Sequence, residues 1–294
     1  MEHAAATKSV KLGPPGYTYR VLEGLIVPEY TTPYSYYLSR TLETRAGDIC
    51  FVSFPRSGST WLSYILLLIV GDGEEPVGTL WRNTPWVASA WPYRWSRAVL
   101  DRLPAPRLFR SHMPYHMALG GEPRKCPCKY VYIARNPKDV AVSYYHFERG
   151  KEWAGGYLGS WSDWLEMFVD GRVQRGDWFD HVLGWWSNRD AENIHFLKYE
   201  HLKKDIGATI DGLAEFLERP LDPATRRRIV EKVTFRNMRR NRFTDLHDVP
   251  GYENFYRNGT SRSWRQQFTP EQAERFDRLY ETRMAGSGLT FQDG

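Results

Sequence analysis

The sequence predicts an α/β protein: a single domain with a central parallel β-sheet flanked by helices. Two observations carry this reading. A short apolar run of strand formers, then a polar turn, then an apolar helix occurs twice, at residues 48–70 and 130–147. A further strand-like run at 194–199 is followed by apolar residues at helical spacing. Strands alternating with helices build parallel sheets covered on both faces. The 294 residues contain no internal repeat and no Gly/Ser-rich linker, so one domain is expected over 17–294, behind a flexible segment of residues 1–16.

That first segment is polar, ends in Gly-Pro-Pro-Gly and has no charged-then-apolar leader pattern. Asp48 to Phe54 reads Asp-Ile-Cys-Phe-Val-Ser-Phe, a strand. Pro55 to Ser59 is a turn, and Thr60 to Val70 has the length and composition of a buried helix. Tyr130 to Ala134 is a second strand, followed by Arg135-Asn136-Pro137 and a helix to about Phe147. Asn136 is a natural N-cap there, and Pro137 suits the first helical position. Ile194 to Tyr199 is a third strand. Leu202, Ile206, Ile210, Leu213 and Leu217 then recur every three or four residues, predicting one buried helix face. Asp222-Pro223 and Thr269-Pro270-Glu271-Gln272 are helix starts, the second with capping-box spacing.

Composition narrows the class. Forty basic against 35 acidic residues give +5, a mild charge that suits an anionic small ligand as well as nucleic acid and on its own establishes neither. The longest apolar run, Trp61 to Val70, falls well short of the roughly 20 residues that span a bilayer, so no membrane is expected. Three cysteines, Cys50, Cys126 and Cys128, make neither a disulfide framework nor an all-cysteine zinc site. A reducing, cytoplasmic location is the expectation. Aromatic residues reach 15%, enough for a core and for a pocket that takes a flat apolar molecule.

The chemistry starts at the two strand–turn–helix units. A helix N-terminus offers unpaired N–H groups and the positive end of the dipole, an anion cradle. In Phe54-Pro55-Arg56-Ser57-Gly58-Ser59-Thr60-Trp61 that cradle gains a cation, hydroxyls and a glycine. No Gly-x-x-x-x-Gly-Lys-Ser/Thr loop occurs in the chain, so this is not a Walker A site. The second unit, Arg135-Asn136-Pro137-Lys138-Asp139, sets Arg135 ahead of a helix that carries Ser143. Two such units suit a ligand with two separate anionic groups, such as a nucleotide with phosphates at both ends. His112, in Phe-Arg-Ser-His-Met-Pro, is a candidate for chemistry. Pro114 separates it from His116, which argues against a helical metal pair, and no metal is expected.

These segments, in this order, resemble the cytosolic sulfotransferases from about Tyr17 to Phe291. In that family Tyr-Pro-Lys-Ser-Gly-Thr-Thr-Trp is a P-loop-like turn holding the 5′-phosphosulfate of 3′-phosphoadenosine 5′-phosphosulfate (PAPS). Residues 54–61 read Phe-Pro-Arg-Ser-Gly-Ser-Thr-Trp. The family's Lys-Thr-His-Leu-Pro reads Arg-Ser-His-Met-Pro at residues 110–114, and residues 135–147 are nearly the family's 3′-phosphate segment. Phe255-Tyr256-Arg257-Asn258-Gly259 stands where the family has Arg-Lys-Gly.

The resemblance implies roles. PAPS is the cofactor, leaving as adenosine 3′,5′-bisphosphate (PAP), and the acceptor is a small hydroxylated molecule. Arg56, Ser57, Gly58, Ser59 and Thr60 would hold the phosphosulfate, with Trp61 stacked on adenine beside Phe235. Tyr199, Thr234 and Met238 fall on nucleotide-contact positions. Arg135, Ser143, Arg257, Asn258 and Gly259 fall at the 3′-phosphate. His112 is the implied general base, with Arg56 and Arg110 in place of family lysines, and Trp86, Tyr145 and Phe147 are the implied acceptor wall. Arginine keeps the charge but cannot give up a proton, which makes Arg56 a clamp. Asn258 removes a cation from the 3′ site. The dimer motif becomes Arg265-x-x-x-Thr269-Pro270-x-x-x-Glu274, so a homodimer is implied with its motif altered. The competing readings are a P-loop nucleotide kinase with a degenerate loop and a non-catalytic nucleotide-binding member of the fold.

Overall fold

The computed structural model describes residues 10–11, 17–151, 156–244, 259 and 262–291. Its strands are β1 (Val10–Lys11), β2 (Thr18–Leu22), β3 (Leu25–Val27), β4 (Ile49–Ser53), β5 (Leu108–Ser111), β6 (Lys129–Ala134) and β7 (Ile194–Lys198). Its helices are α1 (Pro33–Arg40), α2 (Ser59–Val70), α3 (Leu80–Asn83), α4 (Arg97–Asp101), α5 (Pro137–Arg149) and α6 (Trp161–Val169). They continue with α7 (Trp178–Trp186), α8 (Tyr199–Lys204), α9 (Ile206–Phe216), α10 (Pro223–Lys232), α11 (Phe235–Met238) and α12 (Pro270–Met284).

Strands β4 to β7 form one parallel sheet in the order β5-β4-β6-β7. Alternate residues feed two cores, as the period of a strand requires. Ile49, Phe51, Val131 and Ile133 pack under α2 and α9. Cys50, Val52, Tyr130 and Tyr132 pack with α5, α6 and α7 on the other face. The α/β class and the parallel sheet are therefore as expected. Because α2 and α5 leave neighbouring strands toward opposite faces, a crevice opens beyond the C-terminal ends of β4 and β6, where open α/β sheets bind ligands.

Helix α2 is held by burial. Leu62, Ile65, Leu66, Leu68 and Ile69 are wholly buried, and each such side chain is worth about 1.5–3 kcal/mol. It has no side-chain N-cap. The packing supplies the stability, and the helix N-terminus stays available to a ligand.

Two expectations need correction. The apolar residues from Leu202 to Leu217 do not ride on one helix. Asp205 leaves the helical region at φ −144°, ends α8 and accepts the Ala208 N–H at 2.8 Å as the N-cap of α9. A short carboxylate able to bond the backbone two or three residues on breaks the helix while its apolar face stays buried. The third strand stops one residue early, because Tyr199 opens α8. The N-terminal hairpin was not foreseen: Glu23 and Gly24, both at positive φ, make a two-residue turn between paired Leu22 and Leu25. Val10 and Lys11 pair with β2 inside the segment expected to be flexible.

Thr269 and Gln272 do form the capping box, with Pro270 opening α12 and Glu274 paired to Arg278 at 2.6 Å. Arg265 lies on the short turn before it. No helix among the described residues is long and apolar enough to cross a membrane.

Candidate active site

The first residues beyond the sheet's C-terminal edge converge on one cavity of ≈ 290 Å³. β4 runs into residues 54–58, β5 delivers His112, β6 delivers Arg135 and β7 delivers Tyr199.

In the β4 turn, Arg56 sits at φ 68° and Gly58 at φ 107°. Gly58 is required twice over, because a Cβ there would lie 2.9 Å from the Tyr199 ring. Ser57 and Thr60 have buried hydroxyl oxygens with no hydrogen-bond partner among the described residues. Both lie at the start of α2, where its N–H groups have no side-chain cap. Arg56 donates from Nε to Ser143 Oγ at 3.1 Å, and its guanidinium lies 4.6 Å from the centre of the Phe147 ring. Trp61 is fixed by its indole N–H, which donates to the Val233 carbonyl at 2.8 Å.

At the end of β6, Asn136 caps α5 through Oδ1, as its position in the sequence predicts. Its own N–H donates to Glu200 Oε1 at 2.9 Å, which ties the β6 turn to the start of α8. Arg135 spreads over the Tyr199 ring at 4.5 Å and donates to the Arg56 carbonyl at 3.4 Å. The two arginines thus belong to one cluster.

His112 is set by its neighbours. Nδ1 lies 2.8 Å from the Ser53 carbonyl oxygen, an acceptor only, so Nδ1 carries the proton and Nε2 keeps a lone pair. Behind it, the Tyr132 hydroxyl donates to His181 Nδ1 at 2.8 Å, and His181 Nε2 donates to the His112 carbonyl at 3.2 Å. Burial, then the Arg175 and Arg110 charges, hold the His112 pKa well below the usual histidine range. Burial first, and Arg175 after it, press His181 down to about 3.

Both imidazoles are therefore neutral in the fold, whereas histidines of the unfolded chain titrate near pH ~6.5. Below that pH the unfolded chain binds protons that the folded one does not. Stability is full above pH ~6.5 and falls in acid by about 1.4 kcal/mol per pH unit for each such group. Calorimetric Tm should drop steadily from pH 7 to 5. His181→Gln should make that drop shallower; an unchanged slope would exclude His181 as the group responsible.

The sulfotransferase-domain family matches residues 46–288. The chain belongs to the sulfotransferase family. Rat sulfotransferase 1C2 is 35% identical over 262 residues, 86% of this chain and 88% of its own. Mouse sulfotransferase 1B1 is 34% identical over 260 residues, covering 85% and 86%. A mouse sulfotransferase solved in complex with PAP superposes with a TM-score of 0.78 at 27% identity, over 92% of this chain and 95% of that one.

PAPS is the cofactor of the family, and this sulfotransferase has the donors to suit it. Thr60 supplies a buried hydroxyl lacking a partner among the described residues, the uncapped α2 supplies N–H groups, and Arg56 and Arg135 supply charge. Gly58, Ser59, Thr60, Trp61 and Tyr199 line this end of the cavity, with Ser143 beside Arg56. Phe235, Met238 and Gly259 close it, and a Cβ on Gly259 would lie 2.5 Å from the Phe235 ring. Arg257 and Asn258 lie outside the described residues. Ser57 sits wholly buried behind the turn.

Two placements differ from expectation. Thr234 is exposed and caps α11, accepting the Asn237 N–H, because the hydroxyl of a residue just before a short helix is drawn to its first turn. Tyr145 packs on Trp161 and Trp164, away from the cavity, and Tyr144 lines it instead. One residue is about 100° of helix, and Ser143, Tyr144, Phe147 and Glu148 share the inward side of α5.

At the other end, Trp86 meets the His112 ring edge-on at 5.2 Å. Arg110 also lines the cavity, held over the Trp81 ring at 3.7 Å and donating to Ser63 Oγ at 3.2 Å. Sequence reasoning missed Tyr30, Glu148, Lys151 and Arg175 on this wall. No motif marks them, and Arg175 comes from a loop remote in sequence. Among the described residues no group of His, Cys, Asp and Glu is arranged to hold a metal ion.

Proposed function

We propose that this sulfotransferase transfers the sulfuryl group of PAPS to a hydroxyl of a small aromatic or steroid-like acceptor, with His112 as general base and in-line attack at sulfur. The observation that carries the reading is the orientation of His112. Its Nδ1 is committed to the Ser53 carbonyl, so Nε2 is the nitrogen left to take a hydroxyl proton in a cavity walled by Trp86, Phe147 and Tyr144. When bound, PAPS supplies the sulfuryl group and a bisphosphate leaving group. Arg56, the α2 N–H groups and the Thr60 hydroxyl are donors fixed in advance at the head of α2, as stabilisation of growing negative charge requires. Arg135 belongs to the second anion site, beside Tyr199. The aromatic wall favours a flat acceptor.

With its pKa held down, His112 is already a base at neutral pH. Activity should stay level as pH falls through 6.5 and decline only well below it.

The test is incubation with PAPS and 2-naphthol, following PAP release and sulfate-ester formation by mass spectrometry. Turnover of ATP with magnesium in place of PAPS would favour the kinase reading. PAP binding without turnover of any acceptor would favour a non-catalytic member. Arg56→Lys keeps the cation and should hold kcat/KM within about tenfold, or ~1.4 kcal/mol. Arg56→Met should cost roughly 10²–10³. A collapse in Arg56→Lys would mean that guanidinium geometry, through Ser143 and Phe147, matters more than charge. The three free thiols fit a reducing, cytoplasmic setting, and size-exclusion chromatography would test the homodimer.

A further inference from the structure

Among the described residues three guanidinium groups are almost completely buried, and the fold treats them differently: Arg110 lies over the Trp81 ring and donates to Ser63 Oγ. Arg107 and Arg175 are each 2% exposed. Arg107 is bound by Asp48 through Nε at 3.0 Å and Nη2 at 2.5 Å. Arg175 makes no ion pair with a carboxylate among the described residues. Its Nη2 donates to the Thr31 hydroxyl at 3.1 Å, and its Nη1 reaches only the Met113 sulfur, at 3.5 Å. Glu148 lines the same cavity, but Lys151 engages it at 2.5 Å. A guanidinium has five donors and stays charged in proteins. Burying that charge without a counter-ion is costly, and a fold keeps such a group where something else supplies the anion.

The surroundings say what the anion is attached to. Arg175 lines the acceptor end of the cavity, with its guanidinium 5.7 Å from the centre of the Trp86 ring. His112 touches that same indole at 5.2 Å. Met113, which Arg175 reaches, is the residue after His112. One small molecule can therefore meet both groups. The Trp86 and Trp81 indole N–H groups are buried with no acceptor among the described residues, adding donors at that wall.

Resting on the sulfuryl-transfer reading above, we propose that Arg175 is the specificity residue of the acceptor subsite. The preferred acceptors are small hydroxylated aromatic molecules that also carry a carboxylate. The carboxylate pairs with the Arg175 fork while the hydroxyl meets His112. The planar fork matches a carboxylate bidentately. Pairing also cancels a positive charge that opposes protonation of His112, so the same anion favours the imidazolium formed as the hydroxyl proton is taken.

The test compares 3-(4-hydroxyphenyl)propionate with its methyl ester, using 2-naphthol as a neutral reference and PAP calorimetry as a control for the fold. The wild type should show kcat/KM at least tenfold higher for the acid than for the ester, carried mainly by KM. Arg175→Met should raise KM for the acid at least tenfold and bring the two acceptors level, with PAP affinity kept. Arg175→Lys should restore part of the preference. Should Arg175→Met fail to bind PAP, Arg175→Lys decides, since reduced but surviving acid preference supports the assignment and an undiminished one overturns it. A wild type that sulfates 2-naphthol and treats acid and ester alike overturns the acceptor assignment alone. A wild type that sulfates none of the three overturns the transferase reading and the assignment with it.

Discussion

His112→Ala is expected to lower kcat by roughly 10²–10⁴, the usual contribution of a positioned acid–base group, while the affinity for PAP stays within about threefold. The asymmetry follows from what the imidazole touches. It bonds the Ser53 carbonyl and meets Trp86, and neither of these contacts involves Arg56, Arg135 or the α2 N-terminus. Single-turnover rates and PAP calorimetry on the same preparation check both halves. Loss of PAP affinity would assign His112 a structural role at the end of β5. His112→Asn provides a second reading: its amide nitrogen takes the place of Nδ1 and can keep the bond to Ser53, so folding is preserved while proton transfer is not. Full activity in that variant would remove His112 as the base.

The sequence exposes those parts of the site whose logic is local. A strand, a polar turn and a helix start lie within a dozen residues, so the 54–61 cradle and the Asn136 cap are legible from residue types alone. The parallel sheet follows from the same repeated order. What is hidden depends on neighbours far along the chain. Tyr144 and Tyr145 differ only in helical phase, and Trp161 and Trp164 of α6 decide which of them turns away from the cavity. Arg175 reads as one basic residue in a Gln-Arg-Gly turn until β3 and the Met113 loop close around it. Asp205 reads as a polar position on an amphipathic helix, yet it is the point where that helix is cut. The Tyr132–His181–His112 relay joins β6, α7 and the end of β5, and no spacing rule links them.

Asp139 is the strongest case of a residue that looks local and acts at a distance. Its place in the first turn of α5 suits the helix dipole, and that alone would explain an acid there. In the fold it is 2% exposed and holds a segment more than a hundred residues away. Oδ2 accepts the Arg262 N–H at 2.8 Å, and Oδ1 accepts the Ser263 hydroxyl and the Trp264 N–H, both at 3.1 Å. Arg262 is kept at φ 66°, a conformation that a non-glycine residue holds only when its surroundings impose it. Asp139→Ala removes the acceptor that these three donors share, and a buried donor that loses its acceptor, such as the Trp264 N–H, costs about 1–3 kcal/mol. A total loss of roughly 3–5 kcal/mol is expected, on the order of a 10 °C fall in Tm for a chain of this size. Affinity for PAP should fall as well. Arg135 loses the carboxylate 4.0 Å from its Nη2, and Gly259, three residues before Arg262, loses the anchor that keeps it against Phe235. Asp139→Asn retains one acceptor oxygen and should lie between the two. Thermal unfolding with and without PAP separates the effects: a lower Tm with an unchanged PAP-induced shift means that the clasp serves only the fold. A smaller shift as well means that it also shapes the nucleotide site, as its grip on both Arg135 and residues 262–264 requires.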